Sequence, residues 1–313
     1  MGKKIYKYIG PDILDIAFSK DGFVGLKCSY PKDYNDPYEL FLCIDPEESP
    51  ELLAFYQETI GKIPQRPTTC FSNSPTVTPM WAHYAQTLSG FVIELDEDLL
   101  NEFLADSSID DVDYQDEANE EISTLLHHAY VTCKPRHTFF LEKAVFGSAY
   151  FTKKKCWSYE SERRLVVSDK DVSKQDGIMI LYVHTSCVTA IISGPRTDDD
   201  YKNKSKQLCC KLSCNYYEMI IGNSYPEPYF VDSNRKAHLF YEGQIKIFES
   251  TCKTCNEPIN NHLEKKEFKC PWCTIDNLHI QNATKRNPYR VIAGAGLLAE
   301  YLQRCEEIYR KHS

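Results

Sequence analysis

Four cysteines near the C-terminus constrain the fold of this 313-residue chain more than any other feature. They form two Cys-x2-Cys pairs, Cys252 with Cys255 and Cys270 with Cys273. Each pair can bind one face of a metal ion, and two pairs together supply the four thiolates that a structural Zn2+ prefers. The alternative is two disulfides, which need an oxidising compartment. The spacing therefore predicts a closed zinc ribbon that serves as scaffold, so catalytic residues must lie elsewhere in the chain.

The composition is that of an ordinary soluble globular protein, with 42% hydrophobic and 26% charged residues. The sequence has no apolar run of transmembrane length, and its first residues lack the apolar core of a signal peptide. We therefore expect a cytoplasmic protein that does not bind membranes. Most of its 14 cysteines are then expected to be reduced thiols.

Charge is distributed unevenly along the chain. Residues 1–250 have a net charge of −12 and residues 251–313 have +3, which together make the total of −9. An acidic body argues against broad non-specific nucleic-acid binding, because such binding depends on neutralising phosphates. Basic side chains around the predicted ribbon nevertheless leave nucleic acid open as a partner there. They are Lys265, Lys266, Lys269, Lys285, Arg286 and Arg290.

The order of predicted elements indicates an α+β domain over residues 1–250, followed by the zinc ribbon and a terminal helix over 251–313. Hydrophobic periodicity predicts one amphipathic helix over 122–146 and another over 290–310. The acidic segment 106–121 is predicted to be a solvated loop or the start of a helix. Short strands are predicted at 23–28, 69–72, 91–95, 163–167, 178–183 and 188–192, and further helices at 50–60, 79–88 and 198–212.

Three segments are dense in aromatic and charged residues. They are the turn at 34–39, the Met-Trp-Ala-His-Tyr run at 80–84 followed by Gly-Phe at 90–91, and the Trp-Ser-Tyr-Glu-Ser-Glu-Arg-Arg-Leu run at 157–165. Together with Cys-Phe-Ser at 70–72, they resemble in this order a bacterial family known only as a domain of unknown function. The resemblance runs from residue 5 to about residue 194. That family is similar in fold to ADP-ribosyltransferases, so the resemblance implies an ADP-ribosyltransferase-like domain with NAD as its substrate.

The resemblance also implies which carboxylates act. Breaking the nicotinamide–ribose bond of NAD develops an oxocarbenium-like charge, which one carboxylate can stabilise while a second prepares the acceptor. By likeness to the arginine-modifying transferases, Glu162 would be the catalytic carboxylate and Glu160 its acceptor-side partner. Two residues apart, the pair lies on one face of a strand or meets in one cleft on a turn.

Contacts with NAD are implied in the same way. Tyr6 and Lys7 lie on the first strand, where the transferases have an arginine or a histidine. Ser72 occupies the place of their Ser/Thr strand, and His83 with Tyr84 would supply an imidazole and a ring for nicotinamide. The acceptor would be an intracellular protein or nucleic acid, and the protein would act as a toxin or an anti-phage effector.

Three alternatives remain open from the residues alone. In the first, Glu160 and Glu162 form a surface ion-pair cluster with the neighbouring lysines and arginines. In the second, the large domain is a non-catalytic module that binds a nucleotide or a nucleic-acid end, and the ribbon binds RNA or DNA. In the third, the protein is an NAD glycohydrolase, with water as acceptor.

P-loop, dinucleotide-fold, GxSxG and HExxH motifs are missing from the sequence. Predictions of a kinase, an ATPase, a serine hydrolase or a metalloprotease are therefore unsupported.

Overall fold

The chain divides into two compact units. Unit 1 comprises Met1–Gly222 with Glu227–Phe248, and unit 2 comprises Asn223–Pro226 with Glu249–Ser313. The structure, a computed structural model, describes residues 2–36, 43–45, 47–61, 63–104, 107–175, 177–259 and 269–312. Among these residues, no helix combines the length and the apolar character needed to cross a bilayer. Glu39 of the predicted 34–39 turn, Asp106, Lys265 and Lys266 lie outside the described residues.

The described strands all belong to unit 1. They are β1 (Lys4–Ile9), β2 (Phe23–Cys28), β3 (Thr68–Ser72), β4 (Phe91–Asp96), β5 (Ser108–Asp111), β6 (Asp113–Tyr114), β7 (Thr152–Lys153), β8 (Glu162–Val166), β9 (Val172–Gln175), β10 (Ile178–His184), β11 (Val188–Ser193), β12 (Asn215–Ile220), β13 (Tyr229–Asp232), β14 (Ala237–Tyr241) and β15 (Gln244–Ile247). Ten of the strands described form one sheet in the order β15-β14-β13-β12-β11-β4-β1-β3-β8-β5. Strands β2, β10 and β9 form a second sheet, and β6 pairs with β7.

Helices accompany these strands, so the predicted α+β class is confirmed. Unit 1 has α1 (Ile13–Ala17), α2 (Pro50–Thr59), α3 (Thr78–Tyr84), α4 (Glu97–Phe103), α5 (Glu120–Thr132), α6 (Pro135–Phe151) and α7 (Asp199–Leu212), whereas unit 2 has α8 (Asn277–Arg286), α9 (Pro288–Gly294) and α10 (Leu298–His312). Side-chain caps explain where several of these helices begin. Ser49 accepts from the Leu52 amide at the start of α2, and Asp198 accepts from the Asp200 amide at the start of α7.

The large sheet is buried on both faces around β1. Ile5 and Ile9 pack in one hydrophobic cluster, while Tyr6 and Tyr8 pack in another together with the fully buried Trp81. Successive side chains of a strand point to opposite faces, which is why one strand contributes to both clusters. Packing on both faces therefore holds strand β1 in the interior and fixes the positions of the side chains that it carries.

The predicted single helix over 122–146 is wrong, because the structure has two helices there. Helix α5 ends at Thr132, and Cys133 takes a left-handed conformation with φ of 51°. Helix α6 then begins at Pro135. Proline has no amide proton and disfavours a helical conformation in the residue before it, so a continuous helix cannot pass this point.

Two further expectations are corrected for comparable local reasons. The predicted helix over 290–310 is split into α9 and α10, with Gly296 at φ of +72° between them, a conformation that glycine adopts readily. Part of the predicted acidic loop is strand β5, which pairs with β8. Asp111 of β5 lies 3.1 Å from the Arg163 guanidinium, so an ion pair across the two strands stabilises this acidic edge.

Candidate functional site

A cleft of about 580 Å3 lies in unit 1 next to the point where β1 and β3 separate. These strands share one registered pair, Tyr6 with Ser72, whereas β1 pairs with β4 along its full length. Lys7 spans the gap, since its Nζ donates to Thr69 Oγ1 and to the Cys70 carbonyl, each at 2.9 Å. The polar and aromatic lining includes Lys7, Lys27, Tyr34, His83, Tyr84, Lys153, Glu160, Glu162 and Arg164.

A left-handed turn brings the two glutamates into this cleft. A 3-10 helix ends at Glu160, Ser161 has a φ of 45°, and β8 begins at Glu162. Ser72 Oγ donates to the Glu160 carbonyl at 2.7 Å, and the Asn73 amide donates to the Ser161 carbonyl at 2.8 Å. The second of the two geometries predicted for this spacing, a turn that directs both carboxylates to one cleft, is therefore the one adopted.

Lys153 joins the two carboxylates. Its ammonium donates to Glu160 Oε2 at 2.6 Å and to Glu162 Oε2 at 3.0 Å. Glu160 is only 2% exposed and Glu162 only 4%. The predicted ion pairs with neighbouring cations are present, with Lys153 and Arg164, but the predicted surface location is wrong. The cluster is buried, so its charge interactions are strong and unpaired charges are costly.

Glu162 is held in its ionised form. Arg164 binds it in a two-pronged manner, with Nε to Oε1 at 2.7 Å and Nη2 to Oε2 at 3.1 Å. Burial alone would raise the pKa of Glu162, but Arg164 and Lys153 outweigh burial and lower the pKa to about 2. This carboxylate therefore carries a negative charge throughout the physiological pH range.

Glu160 is shifted in the opposite sense. Its Oε1 accepts from the Tyr84 hydroxyl at 2.7 Å, while Lys153 binds the other oxygen. Burial is the largest influence and raises the pKa of Glu160 above its ordinary value, although Lys153 opposes this. Burial and the neighbouring Glu160 also raise the pKa of Tyr84, so its hydroxyl remains a donor. Glu160 is thus the member of the pair suited to exchanging a proton.

Opposite shifts predict opposite pH effects on stability. A group whose pKa is lower in the folded state stabilises the protein at pH values above its unfolded-state pKa. That stabilisation is lost as the pH falls through its folded-state pKa. Relative to Glu162→Gln, the wild-type free energy of unfolding is therefore expected to decrease as the pH is lowered from 4.5 towards about 2. Relative to Glu160→Gln, it is expected to decrease as the pH rises above 4.5. Denaturant titrations over a pH series measure both differences, and equal pH slopes for the two variants would contradict the assignment.

The predicted NAD-binding residues are only partly brought together. Tyr6, Lys7, His83 and Tyr84 line the cleft, whereas Ser72 is not among its described lining residues. His83 is exposed there. Burial lowers the pKa of the Lys7 ammonium, which contacts no carboxylate among the described residues. The Ser72 hydroxyl is bound to the Glu160 carbonyl, and the Tyr6 hydroxyl is bound to Glu94 Oε2 at 3.1 Å. Both hydroxyl groups thus bind within the protein, and that of Ser72 helps to hold the turn that carries Glu160.

Lys153 and Arg164 line the site, but the sequence predicted them only as possible ion-pair neighbours of the glutamates. The alternation of β8 could have separated the two arginines, since Arg164 shares a strand face with Glu162 and Arg163 does not. Arg163 indeed binds Glu97 with two hydrogen bonds, the longer at 2.6 Å. Lys153 could not be told from its two lysine neighbours, because only the fold turns it towards the glutamates.

One comparison with known proteins overlaps this site. Residues 80–165 match the profile of a family described as "Protein of unknown function (DUF2971)". The DUF2971 match contains Tyr84, Lys153, Glu160, Glu162 and Arg164, so its span holds the buried cluster. The comparison with curated proteins finds no match, and nor does the comparison with solved structures. The resemblance to a family of unknown function is confirmed over the matched residues, and the similarity to ADP-ribosyltransferases stays a prediction.

The four predicted metal ligands come together in unit 2, far along the chain from the DUF2971 match. The ligand atoms of Cys252, Cys255, Cys270 and Cys273 all lie within 4.8 Å of one another. Cys255 Sγ and Cys270 Sγ are 3.7 Å apart, close to the separation of about 3.8 Å that a tetrahedral site with Zn–S bonds of about 2.3 Å requires. Four cysteines in this arrangement could bind a metal ion such as zinc.

Backbone amides support the cluster. Cys252 Sγ accepts from the amides of Thr254 and Cys270, at 3.4 and 3.3 Å. Burial opposes ionisation of Cys252, but these and other amide donors outweigh it and lower the pKa of the thiol to about 6. Thiolates are the metal-binding form of cysteine, so the local backbone favours the state that a metal needs.

Proposed function

We propose that unit 1 transfers ADP-ribose from NAD to a macromolecular acceptor. The observation that carries this proposal is a pair of buried carboxylates in one cleft whose pKa values are shifted in opposite directions. Such a split gives two chemically identical groups two different roles, one as a fixed charge and one in proton transfer. The cleft volume of about 580 Å3 is within the usual range for small-molecule sites.

In this proposal Glu162 supplies the fixed negative charge. The C–N bond between ribose and nicotinamide breaks, the bonding electron pair leaves with nicotinamide, and the ribose becomes oxocarbenium-like. A carboxylate that is already ionised and held in place by Arg164 favours that positive charge without reorganising. Arg164 and Lys153 balance part of the charge of Glu162, so their positions determine how strongly Glu162 stabilises the oxocarbenium-like charge.

Glu160 prepares the acceptor. As the lone pair of the acceptor forms the new bond to ribose C1′, its proton passes to the Glu160 carboxylate. The raised pKa brings Glu160 closer to the pH at which proton exchange is efficient. Tyr84 and Lys153 each bind one of its oxygens and thereby fix its orientation.

The test is incubation of the protein with labelled NAD and whole-cell protein, RNA and DNA. Glu162→Gln keeps the size of the side chain and removes its charge, and we expect it to lower the labelling rate on the order of 100-fold or more. Glu97→Gln is the matched control, because Glu97 is also a buried glutamate bound by an arginine but does not line the cleft. It is expected to retain labelling when both variants are folded by circular dichroism.

The outcomes separate the open alternatives. Label on protein or on nucleic acid identifies the class of acceptor. Loss of NAD without transfer of label identifies a glycohydrolase that uses the same carboxylates with water as the acceptor. Intact NAD in the presence of all three classes of acceptor contradicts the proposal, as does a Glu162→Gln variant that is as active as Glu97→Gln.

We further propose that the cysteine cluster of unit 2 binds one structural Zn2+. Four thiolates close the coordination sphere and leave no position for water, so the metal stabilises this unit and takes no part in the reaction. The basic residues Lys269, Lys285, Arg286 and Arg290 are exposed in unit 2, and this favours nucleic acid as its partner. Nucleic-acid binding that weakens steeply with salt and is lost without residues 249–313 would support that role.

A further inference from the structure

A second cavity of about 450 Å3 lies in unit 1 and shares no lining residue with the cleft. Its wall includes Glu94 of β4, Thr189 of β11 and Tyr217 of β12, with Asn215 and Gln244 contributing amides. The volume is within the range of small-molecule sites. None of its residues takes part in the ADP-ribose transfer proposed above.

Glu94 is the unusual residue of this wall. It is 6% exposed. Thr189 Oγ1 donates to its Oε1 at 2.6 Å, and the Tyr6 hydroxyl donates to its Oε2 at 3.1 Å. Among the described residues no lysine, arginine or histidine lies within 4.0 Å of these oxygens, in contrast to Glu160 and Glu162. A buried carboxylate is normally balanced by a cation, and here two neutral hydroxyl groups take that place.

In the described part of the cavity wall, no other group balances the charge of Glu94. Lys4 is the cationic side chain among the described lining residues, and its Nζ lies 2.7 Å from Asp96 Oδ2. Each Glu94 oxygen accepts one hydroxyl and has room for a second donor, because a carboxylate offers about four acceptor positions. Tyr217 is nearly buried and adds an aromatic wall, which also attracts cations.

We propose that this cavity binds a small organic cation, a guanidinium or primary ammonium compound, with its charged group on Glu94. The carboxylate supplies charge-assisted hydrogen bonds, which are the strongest that such a ligand can make. The aromatic ring of Tyr217 contacts the cation, and the amides of Asn215 and Gln244 provide polar contacts for the rest of the molecule. The two cavities thus have opposite chemistry: cations contact the carboxylates of the cleft, and the second cavity has a carboxylate with no cation in contact among the described residues.

The probes are n-butylguanidinium, n-butylammonium and the neutral isostere n-butylurea, titrated to about 10 mM and followed by ligand-observed NMR. We expect at least one cation to bind, and butylurea to bind on the order of tenfold more weakly than butylguanidinium. Glu94→Gln is expected to weaken cation binding by a similar factor, whereas Glu162→Gln in the cleft is expected to leave it unchanged. Preference for one of the two cations identifies the ligand class.

A second variant tests the proposal without depending on whether Glu94→Gln folds. Ser186 is an exposed lining residue, and Ser186→Trp is expected to obstruct the cavity and abolish binding while the carboxylate stays intact. The proposal is overturned if neither cation binds the wild type, if butylurea binds equally well, or if Glu94→Gln and Ser186→Trp both bind the cation as the wild type does. These readouts do not involve NAD, so they are independent of the fate of the transferase proposal.

Discussion

Lys153→Met is expected to lower the free energy of unfolding of unit 1 by about 3–5 kcal/mol. Methionine approximates the length of lysine but has no charge, so Glu160 and Glu162 lose the ammonium that contacts both of them. Arg164 still binds Glu162, whereas Glu160 retains the Tyr84 hydroxyl as its partner. A buried carboxylate that loses its cation bears the cost of burial without compensation, and this explains the size of the effect.

Lys155→Met is the matched control for that experiment. Lys155 lies two residues away, is largely exposed and is 3.8 Å from Asp116, so its removal is expected to change stability by less than about 0.5 kcal/mol. Denaturant unfolding of both variants at neutral pH measures the difference. Adding Glu160→Gln to Lys153→Met should restore part of the lost stability, because the uncompensated charge is then removed. Equal midpoints for the two lysine variants would show that the cluster is not held together by Lys153.

Removal of the metal is expected to unfold the cysteine knuckles of unit 2. In the described part of this unit the buried apolar side chains are Pro258 and two of the cysteines, Cys252 and Cys270, each cysteine being 1% exposed. No hydrophobic cluster includes any described residue of this unit. The metal therefore takes the place of a core. Structural zinc sites in small peptides contribute about 10–16 kcal/mol, so the loss should be complete rather than partial.

Zinc content and proteolysis test this expectation together. Freshly purified protein should contain about one zinc per chain. A chelator should make residues 249–313 sensitive to protease while the thermal transition of unit 1 persists. Cys270→Ser should lower the zinc content, and Cys305→Ser, which replaces an exposed cysteine of α10 outside the cluster, should not. Zinc far below one per chain, or the same zinc content in both variants, would contradict a four-thiolate zinc site.

Two helices that were predicted to be continuous are interrupted in the structure. In both, hydrophobic periodicity and a chain-breaking residue give conflicting signals. Apolar periodicity over 122–146 indicated one helix, yet Pro135 breaks it, and Gly296 lies at the break between α9 and α10. Both residues are visible in the sequence. Apolar periodicity shows only which face of a segment is buried, whereas one proline or one left-handed glycine is enough to end a helix.

The cysteine cluster and the presence of two neighbouring carboxylates were determined by the sequence itself. Ligands separated by two residues come together through the geometry of a short turn, so Cys252 and Cys255 needed little of the fold to be paired. The same holds for Glu160 and Glu162, whose spacing limited them to one strand face or one turn.

The tertiary structure decided what these groups can do. Tyr84 reaches Glu160 across 76 positions of sequence, and Thr189 reaches Glu94 across 95. The fold places Lys153 against both glutamates and leaves Glu94 with no cation in contact among the described residues. Charge states depend on burial and on which opposite charges come within a few ångströms, and packing sets both. No spacing in the sequence encodes them, which is why the residues that tune the site emerged only with the fold.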